Sequence, residues 1–212
     1  MIVPRYMNYC DIGDRAYEFL RTYHPSFELP IPIEEIVELQ LGLDIVPMPN
    51  LLDIYRIDGF LTSDRTAIYV DEGQYREQYG RYRFTLAHEV GHFYMHKEYF
   101  ESYSFTSVNE YVEFVQSVDR KLIGRYEVQG MLFAEQVLVP EDQLLSVIGE
   151  VITSNIDVIS IVSKFDGVIV PYIAKGISKP FQVSSDVIEC RISHLEKENR
   201  LSIKDIIEKA MN

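Results

Sequence analysis

Three of the chain's five histidines fall on one short stretch, His88, His92 and His96, each four residues from the next. The first two belong to His88-Glu89-Val90-Gly91-His92, an H-E-x-x-H pattern. On a helix, imidazoles at i and i+4 leave one face about a turn apart, and Zn–N bonds of ~2.0–2.1 Å let both reach one ion. Glu89 lies at the edge of that face, where it can hold a water and take its proton instead of binding the ion. The chemistry this spacing suits is metal-assisted hydrolysis. Residues 83–96 are apolar nearly all round a helix, which marks the helix as buried. Two imidazoles and a carboxylate are costly to bury without partners, and a divalent metal is the partner that fits. The competing reading is a buried helix whose histidines are satisfied by protein groups alone.

Two histidines make half a site. Glu127 is the candidate for a third ligand. Within residues 126–140, Gly130, Met131, Ala134 and Leu138 surround it on one helical face. The small residues on that face allow another helix to come close. A carboxylate there needs a strong partner: the metal of His88 and His92, in a His2Glu set, or an ordinary salt bridge. His96 continues the series, but a further turn places it ~6 Å along the axis from His92, too far for the same ion. The Gly-turn and distal histidine of metzincins are absent. Glu135 lies off the small-residue face, and Glu110 and Glu113 lie outside the apolar stripe of their own helix.

The elements that must position these residues are legible in outline. Residues 11–23 carry an apolar helical stripe, and Pro32 opens a second, short helix that stops at Gly42. Residues 43–46, 54–57, 59–62 and 67–70 read as β-rich runs, with Asp58-Gly59 and Ser63-Asp64-Arg65 as turns. This predicts a small antiparallel sheet leading into the histidine helix. A strand of it beside the site could pair with an extended substrate. Ser107 and Glu110 fit a capping box, followed by an apolar stripe of Tyr111, Phe114, Val115, Val118 and Leu122 that reads as core. Beyond Pro140 the pattern is helical to the end. The stretch around Pro180–Ser185 resembles the turn of a helix-turn-helix, with Ser184 or Ser185 as N-cap. The expected organisation is a metallopeptidase domain over 1–154 and a helical subdomain over 155–212.

Composition narrows the setting. The 212 residues suit one domain with a small appendage, and 47% hydrophobic with 25% charged residues is ordinary for a globular protein. A net charge of −13 opposes broad nucleic-acid or anionic-membrane binding, so direct DNA contact is the minority reading of the helix-turn-helix-like element. The first residues lack a signal-peptide pattern, and no apolar run approaches the ~20 residues of a membrane span. Cys10 and Cys190 read as free thiols of a reducing cytoplasm, too few for a cysteine-based zinc site.

Several stretches together resemble the ImmA/IrrE family of metallopeptidases, within the gluzincin-like zinc peptidases. They are 29–36, Asp58-Gly59-Phe60-Leu61, Ile68-Tyr69-Val70, 83–92 with the trailing His96, and Glu127-x-x-Gly130-x-x-Phe133-Ala134-x-x-Val137-Leu138-x-Pro140. Phe181-Gln182-Val183-Ser184 with Arg191-Ile192 is similar to the family's tail. The resemblance spans roughly residues 12–197. It implies an α+β fold, a mostly helical zincin-like core with a small sheet. It also implies Zn2+ held by His88, His92 and Glu127, with Glu89 as general base. The implied substrate is a helix-turn-helix transcriptional repressor, in mobile-element or stress control. A zinc-stabilised module that sequesters a regulator without cutting it is the alternative. The chain departs from the family pattern at Gly130, which replaces Ala, and at Met131, where Asn is frequent and could bond a ligand.

Overall fold

The computed structural model describes residues 6–100, 102–165 and 167–211. The first five residues, part of the stretch read for a signal peptide, lie outside these. Asn8 and Asp11 form a capping box that starts α1 (Tyr9–Tyr23), whose buried face is Ile12, Ala16, Phe19 and Leu20. Pro32 precedes α2 (Ile33–Glu35), which runs on into a π-helical turn (Ile36–Gln40). Then come β1 (Asp44–Met48), α3 (Leu51–Tyr55), β2 (Gly59–Leu61), β3 (Ala67–Asp71), α4 (Glu72–Glu77), α5 (Tyr79–Met95), α6 (Lys97–Phe100), α7 (Val108–Ser117) and α8 (Arg120–Leu138). The rest is helical: α9 (Glu141–Ser154), α10 (Ile156–Val162), α11 (Ile169–Phe181), α12 (Ser185–Lys197) and α13 (Ile203–Met211). The fold is α+β and mostly helical, as expected.

The sheet differs from its expected form. It is mixed, in the order β1-β3-β2: β2 and β3 pair antiparallel, but β1 and β3 run parallel. Parallel neighbours need a long crossover, and residues 49–66 supply one. Residues 54–57, expected as a strand, hold the end of α3 and a left-handed turn at Arg56. The cause is tertiary. The Asp71 carboxylate accepts the Leu52 N–H at α3 (2.9 Å) and the Gln74 N–H at α4 (3.0 Å), so one side chain caps two helices. Leu51 then packs on Phe60 and Val108.

The stripe expected to run from Tyr111 to Leu122 is also broken. Val118 is extended, and Asp119 Oδ1 accepts the N–H groups of Lys121 and Leu122, starting α8 afresh. Two helices therefore stand where one was read, and both wall the site described below.

The chain divides into two compact units between Leu138 and Val139. In the first, α5 packs on α8, and α1 packs on α8. Where α5 crosses α8, glycines let the two backbones come close. A Cβ on Gly91 would lie 3.3 Å from the Gly130 Cα and 3.1 Å from Phe133. The buried Arg83 anchors α5 by donating to the Ile31 carbonyl at 2.6 Å, and Arg65 ties the β2–β3 turn to the Phe93 carbonyl at 2.8 Å.

The second unit packs α11 against α12 across a tight turn, with Gln182 left-handed and Ser184 as N-cap. This is the helix-turn-helix-like element. Arg191 of α12 is buried there, donating to the Val139 carbonyl at 3.1 Å and facing Glu141. Among the described residues no single helix is long and apolar enough to cross a membrane.

Candidate metal centre

His88 and His92 leave α5 one turn apart, and Glu127 meets them from α8 across the glycine crossing. His88 Nε2 lies 3.0 Å from His92 Nε2 and 3.3 Å from Glu127 Oε2, and His92 Nε2 lies 3.8 Å from Glu127 Oε1. One donor atom from each residue falls within 4.8 Å of the other two. This is the convergence that a single ion requires, and nitrogen–nitrogen–carboxylate is a donor set for a divalent transition metal. The crossing makes room for it: a Cβ on Gly130 would sit 2.9 Å from His88 Cε1 and 3.1 Å from His92 Nε2.

Glu89 is brought to the same place but held apart from the donor trio. Its Oε2 accepts the backbone N–H of Leu61 at 2.9 Å, while Oε1 stays 4.0 Å from His88 Nε2. The strand β2 therefore fixes one carboxylate oxygen and leaves the other facing the histidines. Burial, followed by the neighbouring Glu127 charge, pushes Glu89 up to about 7 against the pull of His88. A carboxyl group tuned to that range exchanges protons readily near neutrality. Burial alone would lower His88, but the hydrogen bond and charge of Glu127 and the charge of Glu89 outweigh it and raise the imidazole. Burial holds His92 well below the ordinary imidazole value, so it is neutral and a ligand in waiting.

The residues set aside as ligands in the sequence stay out of the trio. Glu135 is buried and accepts from the Tyr9 hydroxyl at 3.2 Å, and Glu110 completes the capping box of α7. His96 sits at the end of α5 with Nδ1 2.9 Å from His92 Nδ1 and Nε2 2.8 Å from Gln129 Oε1. Burial pushes it down to about 4. Sequence reasoning excluded His96 as a ligand and found no use for it, and it passed over Gln129 and the Leu61 peptide altogether. Two signals were present: the second i, i+4 step, to His96, and an amide, Gln129, two residues beyond Glu127.

A cleft of about 540 Å3 is lined by His88, Glu89 and Glu127. One wall carries Ile57, Asp58 and Gly59. Tyr111, Val115, Ile123 and Met131 of α7 and α8 add apolar lining. The stripe residue Phe114 is core, but Tyr111 and Val115 are cleft wall. Tyr111 stacks on Phe60 at 4.6 Å, and burial together with Glu127 and Glu89 keeps its hydroxyl protonated well above the usual phenol range.

No curated protein matches the chain. A model of the Peptidase_M78 family, the IrrE N-terminal-like domain, matches residues 40–193, most of the 212, and covers α5, α8 and all four residues of the site. The chain belongs to this metallopeptidase family, the IrrE N-terminal-like peptidases, and that membership implies a metal at the site.

Proposed function

We propose that the chain is a zinc-dependent endopeptidase that cuts a helix-turn-helix transcriptional repressor in the cytoplasm. The observation that carries it is the convergence of His88, His92 and Glu127 on one point, with Glu89 beside them but held by β2. When bound, the ion supplies Lewis acidity that brings the pKa of a water toward ~7 and polarises a peptide carbonyl. Glu89 accepts the water's proton on Oε1, the oxygen Leu61 leaves free, and delivers it to the leaving amine. Tyr111, protonated in the cleft wall, donates to the oxygen that gains charge as the carbonyl is attacked.

Strand β2 supports a peptide as substrate. It is an edge strand, and its pairing with β3 turns the peptide groups of Gly59 and Leu61 toward the free edge. The Leu61 N–H serves Glu89, and Gly59 lines the cleft, where an extended chain can add to the sheet. The apolar lining from α7 and α8 suits a hydrophobic side chain next to the cut bond. The repressor as substrate is supported by the resemblance of the chain to the ImmA/IrrE peptidases. The net charge of −13 supports a protein over DNA as partner.

The test is incubation of the full chain with a helix-turn-helix repressor encoded alongside it, read by mass spectrometry. The expected result is cleavage at one bond, lost with a chelator and restored by Zn2+. A repressor that binds but stays intact would establish a sequestering module instead.

A further inference from the structure

An imidazole that binds a metal through one nitrogen must carry its proton on the other, and a group nearby normally fixes this by accepting that proton in a hydrogen bond. The usual acceptor is a carboxylate, a carbonyl or water. At His92 it is another imidazole: Nδ1 of His92 lies 2.9 Å from Nδ1 of His96. Two neutral imidazoles facing each other in this way can bond only if one donates and the other accepts. Distance alone does not say which.

Gln129 decides it. Its Oε1 lies 2.8 Å from the far nitrogen of His96, Nε2. An amide oxygen only accepts, so His96 carries its proton on Nε2 and offers a lone pair at Nδ1. His92 must then donate from Nδ1. Its own lone pair falls on Nε2, the nitrogen that faces His88 Nε2 at 3.0 Å and Glu127 at 3.8 Å. The opposite amide orientation would reverse every bond in the series and point an N–H at the ion site. All three side chains are buried.

We infer that Gln129 and His96 are positioning residues that set the tautomer of His92 and so prepare it as a metal ligand. The inference rests on the reading of His88, His92 and Glu127 as a metal site. It also gives a use to the third histidine of the i, i+4 series, and it places outer support on α8 two residues from Glu127, at Gln129 and not at Met131. Met131 points into the cleft and is exposed, where it has no bond to offer.

Two experiments test this on the full chain. Imidazole 15N NMR of the metal-free chain reads the tautomers directly. The expected spectrum has His96 protonated on Nε2 and His92 on Nδ1, and the reverse assignment would overturn the inference without any substitution. The second is Zn2+ affinity by chelator competition, with the Co2+ absorption band as a check on ligand geometry. Gln129→Leu and His96→Phe should each weaken Zn2+ binding by ~10–100-fold. Gln129→Glu, an isostere whose carboxylate accepts at the same place, should retain wild-type affinity or exceed it, and a fall to the level of Gln129→Leu would overturn the inference. If Gln129→Leu binds like wild type while His92→Ala does not, the relay fails and the metal site stands. If His92→Ala also binds like wild type, both fail.

Discussion

Arg191 in α12 and His92 in α5 are buried almost equally, at 3% and 4% exposure, yet their surroundings are built on different principles. Around Arg191 every named group is a complement: the Val139 carbonyl accepts from it, Glu141 faces it at 3.8 Å, and Arg200 joins Glu141 at 2.9 Å. Charges of both signs neutralise one another inside the second unit. Around His92 the polar atoms crowd their own kind. Two Nε2 atoms sit 3.0 Å apart, and the charge of Glu127 adds to the cost of ionising Glu89 beside it. A cluster of ligand atoms set this close together is poor structural glue, and a cation among them would complete it. The difference teaches how to separate a buried ion pair from a site: the first is complete with protein groups, the second is completed from outside.

The largest effect that would sharpen this contrast is on catalysis. Glu89→Gln should keep the bound metal, since Glu89 is outside the donor trio, and lower peptide cleavage by ~10²–10⁴-fold. Measured turnover near wild type would remove Glu89 as the base. Next comes stability. Arg191→Met removes the donor to the Val139 carbonyl and leaves Glu141 to Arg200 alone, and should lower the unfolding free energy by about 1–3 kcal/mol in urea melts, with metal stoichiometry unchanged. Glu127→Ala should do the reverse, losing most bound metal with little change in metal-free stability, because its side chain is 43% exposed. If Arg191→Met loses metal, or Glu127→Ala unfolds the chain, the two clusters are not the two kinds described.

A smaller effect depends on pH. Glu89 is raised in the folded state, from 4.5 to about 7, so its contribution to stability is full below 4.5 and is lost as pH rises through 7. Metal-free Glu89→Gln should therefore gain on wild type between pH 5 and pH 8, by up to about 3 kcal/mol, in paired melts. A constant difference across that range would show that Glu89 ionises freely. The smallest is Gly130→Ala. Its methyl would press on both imidazoles, and metal affinity should fall by an amount worth about 1–3 kcal/mol, read by chelator competition. Unchanged affinity would show that the crossing has slack.

Much of the site was legible before any coordinates. His88, Glu89 and His92 are local in sequence, and helical periodicity alone puts the two imidazoles one turn apart. Glu127 was legible for a related reason: its own helix surrounds it with Gly130, Met131, Ala134 and Leu138, a face on which a carboxylate needs explaining. The helical, mixed α and β character followed from the same patterns. The failures share a cause. Residues 54–57 look like a strand by composition, and become part of a helix and turn because Asp71, distant in sequence, caps that helix. The parallel pairing of β1 with β3 skips over β2, and period-2 patterns carry no information about which strand is the neighbour.

The sequence by itself determined what a single helix can determine: the side-chain types, their spacing on α5, the carboxylate beside them and the small-residue face around Glu127. Periodicity turns such spacing directly into geometry. Only the tertiary structure decided which oxygen of Glu89 is free, through the Leu61 peptide, and that Tyr111 belongs to the cleft. It alone decided that His92 is backed by His96 and Gln129. Each of these joins residues from separate elements, through hydrogen bonds a few ångströms long whose partners no local pattern names.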